Sequence, residues 1–183
     1  MARASIRYPR IPRDWDQRFL YLAASVAAFS RDPSTKVGAV AVSNRRILAM
    51  GFNGLPSGVT DSEERLNNRD LRLAMTTHAE QNLLAYAARA GVCLAGSTVY
   101  VYPLMTCSSC AAMLINADIR QIVIPDLVEP ARWQESFDLA RQMCVEAGVI
   151  VHRVPLEGPL SVRVSAMRPP DDEELAEIDY HTH

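Results

Sequence analysis

Two stretches, Thr77-His78-Ala79-Glu80 and Thr106-Cys107-Ser108-Ser109-Cys110, decide how the rest of this chain is read. Each heads a segment with helical apolar spacing: Leu83, Leu84, Ala87 and Ala88 follow the first, and Ala111, Leu114 and Ile115 follow the second. Two helix N-termini brought together would place His78, Cys107 and Cys110 in one small volume, with Glu80 beside them. One imidazole and two thiolates are three zinc ligands, and a tetrahedral zinc with three protein ligands keeps its fourth position for water. Such an ion acidifies its water, and a nearby carboxylate that is not a ligand accepts the proton and hands it on. Glu80 takes that role in this reading. The alternatives are a structural zinc knuckle or cysteines that are merely buried. A knuckle wants four protein ligands, and neither Cys93 nor Cys144 has a partner at ligand spacing.

Outward from the motifs, helix and strand alternate. Asp14 reads as the N-cap of a helix over 15–30 that is stopped by Asp32-Pro33, with Thr106 as the corresponding cap of the cysteine helix. Segments 37–42 and 47–52 are short β-rich runs joined by Ser43-Asn44-Arg45-Arg46, a hairpin signal. Asn53-Gly54-Leu55-Pro56-Ser57-Gly58 then turns the chain. The polar segment 59–77 reads as a solvated excursion or as a lid or regulatory loop. The helix from His78 ends near Gly91; strands follow at 98–102, 121–124 and 149–154, the last two separated by a helix over 132–147. This order predicts an α/β fold, a three-layer α/β/α sandwich with a mixed five-stranded sheet whose later strands run parallel. Residues 1–13 read as an N-terminal arm, 14–154 as the folded domain, and 155–183 as a solvated or subunit-contacting tail ending in His181-Thr182-His183.

Composition narrows the function classes. In 183 residues, 49% hydrophobic content suffices for a core, and no run approaches the roughly 18 apolar residues of a membrane span. The first residues lack the apolar stretch of a secretory signal, and few cysteines outside the ligand set argue for a reducing compartment, so a cytoplasmic location is expected. A net charge of −2 without a basic block argues against a polynucleotide partner and for a small substrate. Of 19 basic residues only Lys36 is a lysine, which invites a specific role.

The His-x-Glu and Cys-x-x-Cys pair resembles the zinc-dependent cytidine and deoxycytidylate deaminase superfamily, whose signature is H-x-E followed by P-C-x-x-C. Thr106 stands where that pattern has proline, and the chain's own proline, Pro103, lies three residues earlier in the Tyr102–Thr106 approach. Asp32-Pro33-Ser34-Thr35-Lys36-Val37-Gly38, Gly51-Phe52-Asn53-Gly54-Leu55-Pro56-Ser57-Gly58 and Trp15-Asp16 narrow the similarity to the deoxycytidylate deaminase branch, over roughly residues 15–154. The resemblance implies Zn2+, conversion of dCMP to dUMP with release of ammonia, a homo-oligomer (often a hexamer), and in some members control by dCTP and dTTP. It further implies that Asn53 binds sugar hydroxyls and that the backbone N–H of Ala79 binds the pyrimidine carbonyl. The bland reading of Asn53 is an Asn-Gly turn residue.

A nucleotide substrate requires a cation for its 5′-phosphate, since a dianion leaving water needs charge-assisted donors. Lys36 is the first candidate, here or at a regulatory nucleotide site, against the reading of a plain surface lysine. Asn82, Tyr86 and Arg132 are weaker candidates. Two other functions stay open: deamination of another cytosine-type or guanine substrate, and a catalytically silent zinc-fold protein that binds nucleotide. The intact Glu80 counts against the silent reading, because a silent site has no physical need of that carboxylate.

Overall fold

Alternating small and branched residues build the centre of the sheet. The computed structural model describes residues 14–156, so the expected arm over 1–13 and nearly all of the expected tail, with His181 and His183, lie outside the described residues. Strand β1 (Gly38–Ser43) pairs antiparallel with β2 (Arg46–Phe52) on one side and with β3 (Thr98–Tyr102) on the other. Strands β4 (Gln121–Pro125) and β5 (Ile150–Val154) extend the sheet in parallel, giving the order β2-β1-β3-β4-β5. The hairpin turn has positive φ at both central residues, Asn44 (50°) and Arg45 (62°), the pattern of a type I′ connection that matches strand twist.

The two faces of the sheet carry different residues. Val40, Val42, Tyr100, Tyr102 and Val123 face helix α1 (Trp15–Ala27), where Phe19, Leu20 and Ala23 meet them. Ala39, Ala41, Val99, Val101, Ile122 and Ile124 face the opposite layer of α4 (Ala79–Ala90), α5 (Ser108–Asn116) and α6 (Gln134–Ala147). The architecture is therefore the expected α/β/α sandwich with a mixed five-stranded sheet. Among the described residues, no helix is long and apolar enough to cross a membrane.

Two glycines let helices approach the sheet. A Cβ on Gly51 would lie 2.3 Å from the Ala79 carbonyl oxygen and 2.4 Å from the Leu83 nitrogen. Gly51 pairs with Ala39, so this face of β2 and β1 is shaved down where the first turn of α4 rests. Gly38 does the same for α1, where a Cβ would stand 2.1 Å from the Ala23 oxygen. Asn82 Nδ2 ties α4 to the Phe52 carbonyl at 2.7 Å.

Several boundaries differ from expectation. Helix α1 ends at Ala27, before the predicted 30, because Ser30 Oγ accepts the Asp32 N–H and Asp32 Oδ1 accepts the N–H groups of Ser34 and Thr35, which turns the chain. Ala88 is exposed, so the core stripe of α4 is narrower than its periodicity suggests. Helix α6 starts at Gln134, after a 3-10 turn at Ala131–Trp133. The N-cap of α5 is Cys107 and not Thr106, whose side chain is fully buried.

The largest difference is the segment after Gly58. It forms two short helices, α2 (Glu63–Asn67) and α3 (Arg69–Met75). Ser62 Oγ accepts the Arg65 N–H at the first, and Asn68 Oδ1 accepts the Leu71 N–H at the second, a capping signal that polarity had masked. These helices are latched to the α1–β1 turn by Arg72. Its guanidinium donates to Ser34 Oγ (2.8 Å) and to the Leu66 carbonyl, while Nε, which completes no hydrogen bond, is held by charge 3.5 Å from Asp32 Oδ2. Both side chains of this ion pair are about nine-tenths buried.

Two stability outcomes follow from this packing. Gly51→Ala is expected to lower the unfolding free energy by about 2 kcal/mol, the scale of overpacking against backbone. Gly54→Ala, where a Cβ meets nothing within 4 Å, should be near neutral in the same urea titration. Arg72→Met leaves the Asp32 carboxylate buried and unpaired and should cost about 3 kcal/mol, far above the effect of a surface arginine such as Arg89 changed to Met.

Candidate active site and metal centre

The site is built at the mouths of two helices. His78 is the N-cap of α4 and Cys107 the N-cap of α5, with Cys110 one turn further in. His78 Nδ1 lies 3.4 Å from the Sγ of Cys107 and 3.4 Å from the Sγ of Cys110. Within this trio all ligand atoms fall within 4.8 Å of one another. Zinc bonds of about 2.0–2.3 Å at tetrahedral angles set N and S ligands roughly 3.5 Å apart, so the trio fits that ion. The donor set of one imidazole and two soft sulfurs is also the chemistry zinc selects.

The three side chains of the cluster shift one another's protonation. A hydrogen bond from Cys110 holds the Cys107 thiol down at about 3; burial opposes this, and bonds with His78 and Ser109 reinforce it. The Ser109 hydroxyl is 3.2 Å from that sulfur. Cys110 is pushed far up, first by its bond to Cys107 and then by burial. His78 is raised, chiefly by its bond with Cys107.

Glu80 lies on the first turn of α4 and is buried to 3% exposure. Burial raises its pKa, so its protonated form is favoured beyond that of an ordinary glutamate. The Thr106 hydroxyl stands against this carboxylate and pulls the other way, although it completes no hydrogen bond of full geometry. A buried carboxyl next to a cluster of metal-ligand type can hold and release a proton without competing solvent.

The remaining sequence candidates occupy the adjoining loop. Asn53 is buried; its Oδ1 accepts the Val37 N–H at 2.8 Å and its Nδ2 donates to the Thr35 carbonyl at 2.9 Å. Lys36 sits between those two backbone groups, half-buried and without a carboxylate partner among the described residues. The amide of Asn53 therefore shapes the turn that presents Lys36, and it retains one N–H and one lone pair. Gly54 and Thr77 exchange two backbone hydrogen bonds (3.1 and 2.9 Å), which joins this loop to His78. A cavity of about 210 Å3 borders Asn53, but its walls are Phe29, Arg31, Asp61 and Arg72 rather than the metal-ligand trio. Ala79 is fully buried at the first position of α4, where a backbone N–H has no acceptor within the helix. Of the weaker candidates, Asn82 is spent on the Phe52 carbonyl, and Tyr86 and Arg132 are exposed.

Sequence reasoning passed over two groups of residues here. Gln81 Oε1 accepts the His78 N–H at 2.9 Å, half of a capping box legible as a glutamine three residues after the cap. Trp133 and Ser136 reach the site from α6 and its preceding turn, and no local signal marks them.

Comparison with known proteins agrees with this geometry. A family model described as the cytidine and deoxycytidylate deaminase zinc-binding region matches residues 13–125. A deaminase in the luxG 3′ region of Aliivibrio fischeri is 37% identical over 147 residues, covering 78% of this chain and 95% of that protein. The deoxycytidylate deaminase of Mycobacterium phage D29 is 32% identical over 124 residues, covering 61% of this chain and 94% of its own. The crystal structure of dCMP deaminase from cyanophage S-TIM5, in complex with dCMP and dUMP, superposes with a TM-score of 0.63 at 26% identity, over 79% of this chain and 100% of that one. The chain accordingly belongs to the deoxycytidylate deaminase family of the cytidine deaminase superfamily and is a deaminase, a hydrolase of carbon–nitrogen bonds.

Proposed function

We propose that this enzyme is a zinc-dependent deoxycytidylate deaminase that hydrolyses dCMP to dUMP and ammonia. The observation that carries the reading is the convergence of His78 Nδ1 with two cysteine sulfurs at 3.4 Å, beside a buried carboxylate that is not one of the three ligands. Membership of the family supports the deamination, and the dCMP and dUMP held by the S-TIM5 relative support the substrate.

His78, Cys107 and Cys110 would hold the zinc, which when bound supplies an acidified water at an open position. Glu80 moves the protons. It takes one from the attacking water as oxygen adds to C4 of the cytosine and delivers it to N3. A second transfer through the same carboxyl reaches the amine as its bond to C4 breaks, so water is consumed and ammonia leaves. Its raised pKa suits a group that must both accept and donate. The N–H of Ala79 binds the pyrimidine carbonyl, the spare capacity of the Asn53 amide takes a sugar hydroxyl, and Lys36 meets the 5′-phosphate.

Product analysis by mass spectrometry tests the reaction, using zinc-loaded protein incubated separately with dCMP, deoxycytidine, cytidine and guanine. Conversion of dCMP alone to dUMP is expected. Loss of ammonia from another substrate with dCMP intact would overturn the substrate, and no reaction with zinc bound would leave a nucleotide-binding protein. Glu80→Gln should lower kcat by roughly a hundred- to ten-thousandfold while zinc content, measured by metal analysis, stays at one ion per chain. Stripping the ion with a chelator should abolish turnover until zinc is restored. Lys36→Ala should raise KM for dCMP by about ten- to a hundredfold, the worth of a charge-assisted hydrogen bond, and erode the preference for dCMP over deoxycytidine.

A further inference from the structure

We propose that Ser136 and Trp133 are positioning residues of the metal centre, one for each half of its ligand set; the inference rests on His78, Cys107 and Cys110 holding zinc. An N-cap side chain normally accepts a hydrogen bond from the free N–H groups of its own helix. Here the N-cap positions of α4 and α5 belong to His78 and Cys107, whose ring nitrogen and sulfur point at one another. Each side chain still faces one N–H of its own first turn, that of Gln81 at His78 and that of Cys110 at Cys107, so the N–H groups before these need other partners. On α4 the partner is local, since Gln81 Oε1 takes the His78 N–H.

On α5 the partner of the first N–H belongs to another helix. Ser136 Oγ accepts the Ser108 N–H at 3.0 Å and stands 3.1 Å from the Ser108 hydroxyl. Ser108 opens the turn that carries Cys107 at one end and Cys110 at the other, so fixing it fixes both sulfurs. Trp133, one turn before Ser136, faces the other half of the site: its ring meets that of His78 edge-on, at 6.4 Å and 82°. The indole is itself held by stacking on Phe137 at 6.2 Å and 16°, and Phe137 is 2% exposed.

The approach to this corner is fastened as well. Glu129, in the loop after β4, pairs with both Arg141 of α6 and Arg153 of β5. The chain is thereby tied down on either side of the turn that carries Trp133. Residues that orient metal ligands from outside typically govern affinity by roughly ten- to a hundredfold.

The test compares wild type with Ser136→Ala, Ser136→Thr, Trp133→Leu and Trp133→Phe. Zinc affinity is measured by chelator competition, the absorption of the Co2+-substituted protein reports ligand geometry, and thermal unfolding is recorded for the metal-free chains. Ser136→Ala and Trp133→Leu should each weaken zinc binding by about tenfold or more, with altered thiolate-to-cobalt and ligand-field bands. Ser136→Thr, which keeps the hydroxyl, should restore affinity and spectrum, and Trp133→Phe should recover most of both. Unchanged affinity and spectra in the two disruptive variants would overturn the assignment, as would a fall in metal-free melting temperature with normal zinc binding by the folded protein. A change in one variant alone removes the other residue from it. Wild type that bound neither ion would overturn the zinc reading together with this inference, whereas wild type that bound zinc but left dCMP intact would overturn only the substrate.

Discussion

The mouths of α4 and α5 must meet closely enough for one imidazole nitrogen to reach two sulfurs, and much of the structure is arranged around that requirement. Each helix presents a ligand from its N-cap, the position where the backbone has most need of a partner. Each of these side chains faces only one N–H of its first turn, so the site depends on further partners placed around it. Gln81 serves one helix and Ser136 the other. The approach of α4 to the sheet is set from below by Gly51, where any side chain would strike the backbone of Ala79 and Leu83.

A second set of contacts joins the loop that carries Lys36 and Asn53 to this centre. Arg72 on α3 holds Asp32 and Ser34, Asp32 holds the N–H groups of Ser34 and Thr35, and Asn53 takes up Thr35 and Val37 on either side of Lys36. Gly54 then pairs with Thr77, the residue before His78. The helical excursion after Gly58 is thus connected by consecutive polar contacts to the helix that His78 caps. Its buried ion pair is costly to desolvate, which makes it a poor source of net stability but a strict constraint on where α3 sits.

Burial of Glu80 gives the site its chemical asymmetry. The three candidate ligand atoms lie within 4.8 Å of one another, while the adjacent carboxyl is kept from solvent and biased toward its protonated form. In the proposed mechanism, proton transfer and metal ligation are divided between residues only two positions apart. Thr106 occupies the place where the family pattern has proline. It is turned inward against Glu80 and leaves the cap of α5 to Cys107, so the departure from the pattern changes what touches the carboxyl and preserves the ligand positions.

Local chemistry made much of this legible. The alternation of Val40 and Val42 with Ala39 and Ala41, the Asn44-Arg45 turn, the αL glycines Gly91 and Gly148 that stop α4 and α6, and the spacing of His78, Glu80, Cys107 and Cys110 are all short-range patterns, and they pointed to the elements, their order and the three side chains that converge. The helices after Gly58 were hidden because their apolar residues stay largely exposed and their single buried side chain is an arginine, which no hydrophobic period reports. The tertiary structure alone decided that Arg72 faces Asp32, that Asn53 spends its amide on the turn around Lys36, and that Trp133 and Ser136 come to rest on His78 and Ser108. Those contacts join residues far apart in the chain, and their geometry is set by how closely the layers pack, a quantity that no single segment carries.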